Sequence, residues 1–456
     1  MTFVTKLEIA SVLMVIIIIA VFCLAVKWKQ RQLARQARPT SLQIAPPGTA
    51  KGIIFGKDSD GQLVYSKTQD EGSIFVVGGS GTGKTSSILI PSLNSWTGTS
   101  FSVDISGDIF TNTTCPNKVA YEPGNPLSAP YNIFSLIDSL QDDDSKNEAL
   151  EKLAFLIMPE SPDLSANAKY FQDGGRNILA ASLIAFYYAG LDFSDICKKI
   201  LSCGYKSLFS DIDNSGIPVA SMYISGFESN NEANIAGCKQ NCDQAIKLFA
   251  INKNVSDSIR RPTPGETAFT PQSIEQHNVF AIIPDNLLKV YAPLLHIIVA
   301  QCLDYFSARP ATNTQNILFC LDEFASLGKL EINDALRKFR KKKVRIMLLT
   351  QSIADIEEVY GPGAYRPMLS NFRFKAILGV GEADAQEYVA KLIGQTEKHK
   401  TSITNSGSVG PVTSRTISTE KDYIVDPSSL DRLGNDLILL YPEGYKRLKK
   451  AFYYKK

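Results

Sequence analysis

The 456-residue sequence predicts an α/β chain: a mostly parallel sheet covered by helices, interrupted by an inserted all-α domain and preceded by one N-terminal transmembrane helix. Three observations carry this. Apolar β-rich runs alternate with helical patterns, the texture of parallel strands joined by crossover helices. One such run, Ile74 to Val77, leads into Gly78-Gly79-Ser80-Gly81-Thr82-Gly83-Lys84-Thr85 and then into a helical stretch. Near the amino end, Ile9 to Val26 carries no charge and no proline.

Composition sets the outer limits. Hydrophobic residues at 44% and charged residues at 21% exclude a mainly disordered chain, and the length suggests about two or three domains. With 48 Lys plus Arg against 46 Asp plus Glu, the net charge of +2 excludes nucleic-acid binding through bulk charge, so any such contact must come from local clusters. The eight cysteines read as reduced thiols of a cytosolic environment. Cys238 and Cys242 stand four apart with no second pair or histidine at ligand spacing. His277, His296 and His399 are scattered and receive no chemistry.

Taken in order, Ile9 to Val26 spans about 27 Å as a helix, close to a bilayer's hydrocarbon thickness. A signal peptide fits less well, because Lys6 is balanced by Glu8 and no small-residue cleavage site follows. Lys27, Lys29, Arg31, Arg35 and Arg38 come next, which places the N-terminus outside and the body in the cytoplasm. Residues 1–38 are thus the anchor, and a Pro-rich linker runs from Arg38 to Gly48.

Residues 39–134 form the first part of a nucleotide-binding domain, with strands at Gly52 to Phe55, Leu63 to Tyr65, Ser73 to Val77 and Ser100 to Val103. Helical patterns with few β-branched runs mark 135–265 as the insertion. Residues 266–456 complete the sheet with strands at Val279 to Ile283, Ile317 to Leu321, Val344 to Leu349 and Phe372 to Leu378. The polar stretch from Thr396 to Thr419 reads as a mobile loop.

The glycine-rich segment satisfies G-x-x-x-x-G-K-[ST] in the strand-to-helix context that gives the motif meaning. Its backbone N–H groups, from Gly78 to Thr85 with Ser86 just beyond, cradle phosphate at a helix N-terminus. Lys84 reaches the β- and γ-phosphates of ATP, and the Thr85 hydroxyl holds Mg²⁺. A partner carboxylate is needed at a neighbouring strand end, and Asp322-Glu323 after Asn316 to Leu321 supplies it. Asp322 orients the metal, and Glu323 acts as general base on water. Gln351, closing the strand Val344 to Thr350, is the candidate γ-phosphate sensor. Between these strands lies Arg337-Lys338-Phe339-Arg340-Lys341-Lys342-Lys343, then Arg345. It reads as a solvated basic face, a source of an arginine acting in trans, or the lining of a channel for a phosphate backbone. Tyr170-Phe171 and Tyr187-Tyr188 read first as core and second as base-stacking residues.

Together these motifs resemble a known family. The order is the anchor, GGSGTGKTSS, Asp104-Ile105-Ser106-Gly107-Asp108, YNIF at Tyr131 to Phe134, a helical insertion, LDEFASLGKL at Leu321 to Leu330, and TQS at Thr350 to Ser352. It is similar to the type IV coupling proteins, the TraG/TraD-like ATPases of bacterial conjugation and type IV secretion, from about Gly72 onward. The resemblance implies a RecA-like core in an inner-membrane homo-hexamer. It further implies that ATP hydrolysis with Mg²⁺ delivers relaxase-bound single-stranded DNA or proteins to the channel components. By position, Lys84 and Thr85 take the phosphate-loop roles, Asp322 and Glu323 the metal and water roles, and Gln351 the sensor role. Arg340 is the arginine supplied in trans, ahead of Arg337, Lys341 and Lys343.

Three departures stand out: one transmembrane helix where most members have two, Ser106 and Asp108 where the family has Lys and Glu, and no acidic tail beyond the core. Two further readings stay open, a secretion or pilus-assembly ATPase acting on proteins alone and a nucleotide-switched membrane scaffold.

Overall fold

The computed structural model describes residues 41–160, 164–406 and 412–455. The chain divides into the units Met1–Gln43 and Ile44–Lys456. The membrane anchor expected at Ile9 to Val26 lies outside the described residues, as do the basic residues after it.

The larger unit is built on a mixed sheet. Its first strands are β1 (Gln43–Ala45), β2 (Gly52–Lys57), β3 (Leu63–Lys67), β4 (Ile74–Val77), β5 (Thr99–Asp104) and β6 (Lys118–Tyr121). After a long helical segment come β7 (Asn278–Ile282), β8 (Ile317–Leu321), β9 (Val344–Thr350) and β10 (Phe374–Ile377). Then follow β11 (Gln395–Ser406), β12 (Val412–Tyr423), β13 (Asp436–Tyr441) and β14 (Gly444–Lys449). Twelve of them form one sheet in the order β1-β3-β2-β14-β13-β10-β4-β9-β8-β5-β7-β6. From β10 to β6 every neighbouring pair is parallel, whereas β13, β14, β2 and β3 extend the sheet antiparallel beyond β10.

Parallel strands are covered on both faces, so they read as unbroken apolar runs. β4 (IFVV) and β8 (ILFCL) are buried at every position. All seven residues of β9 are buried too, including Arg345, which corrects its placement in an exposed basic face. The Arg345 guanidinium donates to the carbonyls of Gly72 at 2.8 Å and Lys67 at 3.0 Å. Burial pushes its pKa down to about 9. It is a structural tie between β9 and the entry to β4, not a lining for nucleic acid.

Between β6 and β7 the described residues are helical and hold no strand. Side-chain caps set the starts: Asp142 accepts from the Ser145 N–H, Ser165 from Ala168, Asn231 from Asn234 and Asn252 from Val255. The helix Ala166–Tyr188 is buried along Ile178 to Phe186 and packs against the helix Glu232–Ile251. Gly174 lets the two approach, since a Cβ there would meet the Cys238 sulfur at 2.4 Å. Cys238 and Cys242 are therefore packing residues of a close helix crossing. Tyr187 and Tyr188 donate to Asp138 and to the Asp143 carbonyl, and Phe171 packs against Gly237.

Among the described residues one stretch, Asp285–Ala308, is long and apolar enough to cross a membrane, and 56% of its most apolar window is buried. Its helix, Leu288–Ala308, places Leu294, Ile298, Cys302 and Phe306 in the main core. The segment expected to be a loop from Thr396 to Thr419 is instead a hairpin, β11 paired antiparallel with β12 from Gln395↔Tyr423 to Ser406↔Val412. Thr recurs along both strands, with Ile403 in one and Ile417 in the other, and such β-branched residues favour extended chain even in a polar stretch.

Candidate active site

The phosphate loop leaves the end of β4 at Gly78, whose N–H donates to the Thr350 carbonyl at 3.3 Å. Gly81 and Gly83 adopt φ of 72° and 93°, which a Cβ disfavours. The Thr82 hydroxyl closes the turn on the Gly79 carbonyl at 2.7 Å. The helix that follows begins as a wide π turn, Thr85–Leu89. Lys84 is only 6% exposed, and its ammonium donates to the Gly78 carbonyl at 2.8 Å.

In the sheet order β4-β9-β8, one strand separates the loop from the acidic doublet. All three run parallel, so their ends meet at one edge. The Thr85 hydroxyl donates to Asp322 Oδ2 at 3.2 Å, although 237 residues separate them. Glu323 sits at φ 48°, a left-handed conformation unusual for a side-chain-bearing residue and a kind of strain that gathers at active sites. Its carboxylate lies 3.9 Å from the Lys84 ammonium and accepts from Gln351 Nε2 at 3.0 Å. Lys84, Thr85, Asp322, Glu323 and Gln351 thus form one cluster.

Asp322 and Thr85 offer hard oxygen donors, the kind that Mg²⁺ prefers. Among the described residues no group of three or more His, Cys, Asp and Glu could hold a metal. A two-residue set suits an ion that keeps waters and is shared with phosphate.

Burial, then repulsion from Glu323, pushes the Asp322 carboxyl up to about 6, against the pull of Lys84 and Thr85. In the unfolded chain it ionises near about 4, so the folded state holds the extra proton between these values and loses stability as pH rises through them. Asp322→Asn is expected to raise metal-free stability by about 1–3 kcal/mol at pH 8, an advantage that vanishes near about pH 4. Thermal melts with chelator at the two pH values check this. Equal melting points for both proteins at pH 8 would refute it.

Two neighbours, Asp355 and Glu382, escape sequence reasoning, and both are hydrogen-bonded to Ser352 of the TQS motif. Ser352 hydrogen-bonds Glu382, and its N–H donates to Asp355 Oδ2 at 3.1 Å. Burial, then repulsion from Glu382 and Glu358, raises the Asp355 carboxyl. The signal for Glu382 was an acid soon after an apolar strand, β10, the same signal that marks Asp322.

Two further residues of the sequence reading have structural partners. Asp104 is fully buried and accepts from the N–H groups of Gly107 at 2.9 Å and Phe110 at 2.7 Å, so it holds a turn. Arg340 precedes β9 and pairs with Glu71, before β4, at 2.6 Å. Arg340 and Glu71 thus lie at the edge where parallel strands begin, about 13 Å of β4 away from the loop at its end. Arg340 does not reach its own Lys84. Its neighbours Arg337 and Lys338 pair with Asp334, Lys342 donates to the Arg309 carbonyl, and Lys341 and Lys343 are exposed.

Comparison with known proteins places this arrangement. The chain is similar to the Protein VirD4 of Agrobacterium fabrum, 23% identical over 89% of this chain and 62% of the relative. It is also similar to the Protein VirD4 of Rhizobium radiobacter, 24% identical over 76% and 52%. The conjugal transfer protein TraG of Escherichia coli is 23% identical over 79% of this chain and 61% of that protein. The chain therefore spans between about half and three fifths of the length of these relatives.

Among solved structures, the bacterial conjugative coupling protein TrwBdeltaN70 superposes with TM-score 0.68 at 15% identity, covering 92% of this chain and 90% of that one. The plasmid coupling protein TrwB in complex with ADP and Mg²⁺ gives 0.65 at 17%, covering 84% and 85%. These likenesses confirm a mixed α/β fold of the RecA-like kind, with a large parallel sheet. The family model described as type IV secretory system conjugative DNA transfer matches residues 28–456, nearly the whole chain, so the protein belongs to that family.

Proposed function

We propose that this protein is a membrane-anchored hexameric ATPase that couples relaxase-bound single-stranded DNA or proteins to a type IV secretion or conjugation channel. ATP hydrolysis drives the transfer. One observation carries the reading: a buried Lys84 within 3.9 Å of Glu323, in a phosphate loop whose Thr85 hydroxyl is bonded to Asp322. The nucleotide and Mg²⁺ named with TrwB fit those donors, and Mg²⁺, when bound, supplies charge neutralisation on the phosphates. Glu323 accepts a proton from the attacking water, and Gln351 holds the Glu323 carboxylate in place.

In this reading the helices between β6 and β7 form an all-α domain, and the run Ile9 to Val26 is the membrane tether. ATPase rate measured against protein concentration, with and without single-stranded DNA, tests assembly, catalysis and cargo together. Turnover that rises with concentration and with DNA is expected. Turnover indifferent to DNA would favour a protein-only motor, and no turnover a nucleotide-switched scaffold.

Arg340 completes the site of a neighbouring subunit in this proposal, because it lies remote from its own loop and is exposed. Arginine fingers contribute about 10³–10⁵ in rate, so Arg340→Ala is expected to be nearly inactive alone. Mixing it with Glu323→Ala subunits restores intact interfaces, and activity is expected to return. Mixtures as inactive as their components would exclude action in trans.

A further inference from the structure

The phosphate loop has two flanks, and only one is used by the chemistry above. Glu323, after β8, reaches Lys84, and Gln351, after β9, holds Glu323. On the opposite side of β4, beyond β10 and β13, lies β14, which ends at the same edge of the sheet because it reverses direction twice from β10. The chain leaves β14 at Lys449 and runs back to the loop. There the Tyr453 N–H donates to the Ser86 carbonyl at 3.0 Å. The edge of the Phe452 ring sits against Gly83, where a Cβ would come within 2.9 Å of it.

Three consecutive aromatic residues, Phe452-Tyr453-Tyr454, therefore stand at the rim of the loop, with ring centroids 5.3 Å apart for Phe452 and Tyr454 and 5.1 Å for Tyr453 and Tyr454. They are not core. Tyr453 is 39% exposed and Tyr454 58%, although nearly all other large aromatic side chains are buried deeper. An ordered, exposed aromatic cluster needs a reason.

The position supplies one. A nucleoside triphosphate whose γ end faces Glu323 and Gln351 has its α end at the start of the helix, by Thr85 and Ser86. Its nucleoside must then leave on the flank away from the acids, towards Phe452 and Tyr454. We propose that the segment Phe452–Tyr454 is the base-binding platform of this site: Tyr454 offers its face to the base, and Phe452 and Tyr453 hold the segment against the loop. The ligand class is a purine nucleotide, recognised by stacking. The Lys455 ammonium, 4.7 Å from the Phe452 ring and 5.9 Å from that of Tyr454, adds positive charge beside the platform. This rests on the phosphate-loop reading.

The test compares binding of ATP with that of inorganic tripolyphosphate, which has the phosphates and no base, by calorimetry on the full chain. Tyr454→Ala is expected to weaken ATP about tenfold or more and to leave tripolyphosphate unchanged. Tyr454→Trp, which keeps a face, is expected to restore ATP affinity. Phe452→Leu, which keeps bulk against Gly83, is expected to weaken ATP alone. Equal weakening of both ligands, or no effect of Tyr454→Ala on ATP, would overturn the platform. Failure of the unmodified protein to bind tripolyphosphate, with Lys84→Ala no different, would overturn the phosphate-loop reading and the platform with it.

Discussion

Lys84→Ala is expected to eliminate steady-state ATP hydrolysis, with a loss of at least about 10²–10³-fold. The ammonium is buried, anchored on the Gly78 carbonyl, and faces Glu323, so no solvent cation replaces it at the same place. Its removal acts twice. The developing charge on the phosphates loses its nearest donor. Asp322 also loses a positive neighbour that favours its ionised form, so its carboxyl rises further and metal binding moves to higher pH. Residual activity, if measurable, should therefore climb at alkaline pH relative to the parent. A melt by circular dichroism shows whether the fold is kept, because the loop retains its glycines and the Thr82–Gly79 bond. Full substrate transfer by this variant would end the motor assignment.

Glu323→Gln should separate binding from chemistry. The two side chains have the same shape, the Gln351 contact to Oε1 can persist, and the backbone keeps its left-handed turn. What disappears is the base. Hydrolysis is expected to fall by about 10²–10⁴-fold, with nucleotide affinity unchanged. Single-turnover hydrolysis and equilibrium binding measured on the same preparation make the comparison. A variant that hydrolyses near the parental rate would mean that another group activates water, and Glu382 and Asp355 would be the next to replace.

Much of the site is legible in the sequence because each part sits at the end of a fully buried strand. β4, β8 and β9 are short apolar runs, and each hands its last side chains to one edge: the loop, Asp322-Glu323 and Gln351. Some elements outside that pattern pass unread. β6, with only one buried residue, carries little apolar signal. β13 and β14 are joined by a two-residue turn at Pro442-Glu443 and so lack the crossover helix that marks parallel strands. The same blindness hides Phe452, which gains meaning only once β14 carries it back to Gly83. Arg345 misleads for a different reason. Sequence position groups it with lysines, whereas the strand buries it and its guanidinium satisfies two carbonyls.

The 237 residues between Thr85 and Asp322 also set an order of events during synthesis. A ribosome releases the glycine cradle early, yet β8 and its carboxylates emerge only after every helix between β6 and β7 has been made. At about 5–20 residues per second, the interval is on the order of ten to fifty seconds. The two strands that flank β4, β9 and β10, come later still, so until the chain is nearly complete the glycine segment lacks the sheet that aims it, and a clipped product carries no assembled site.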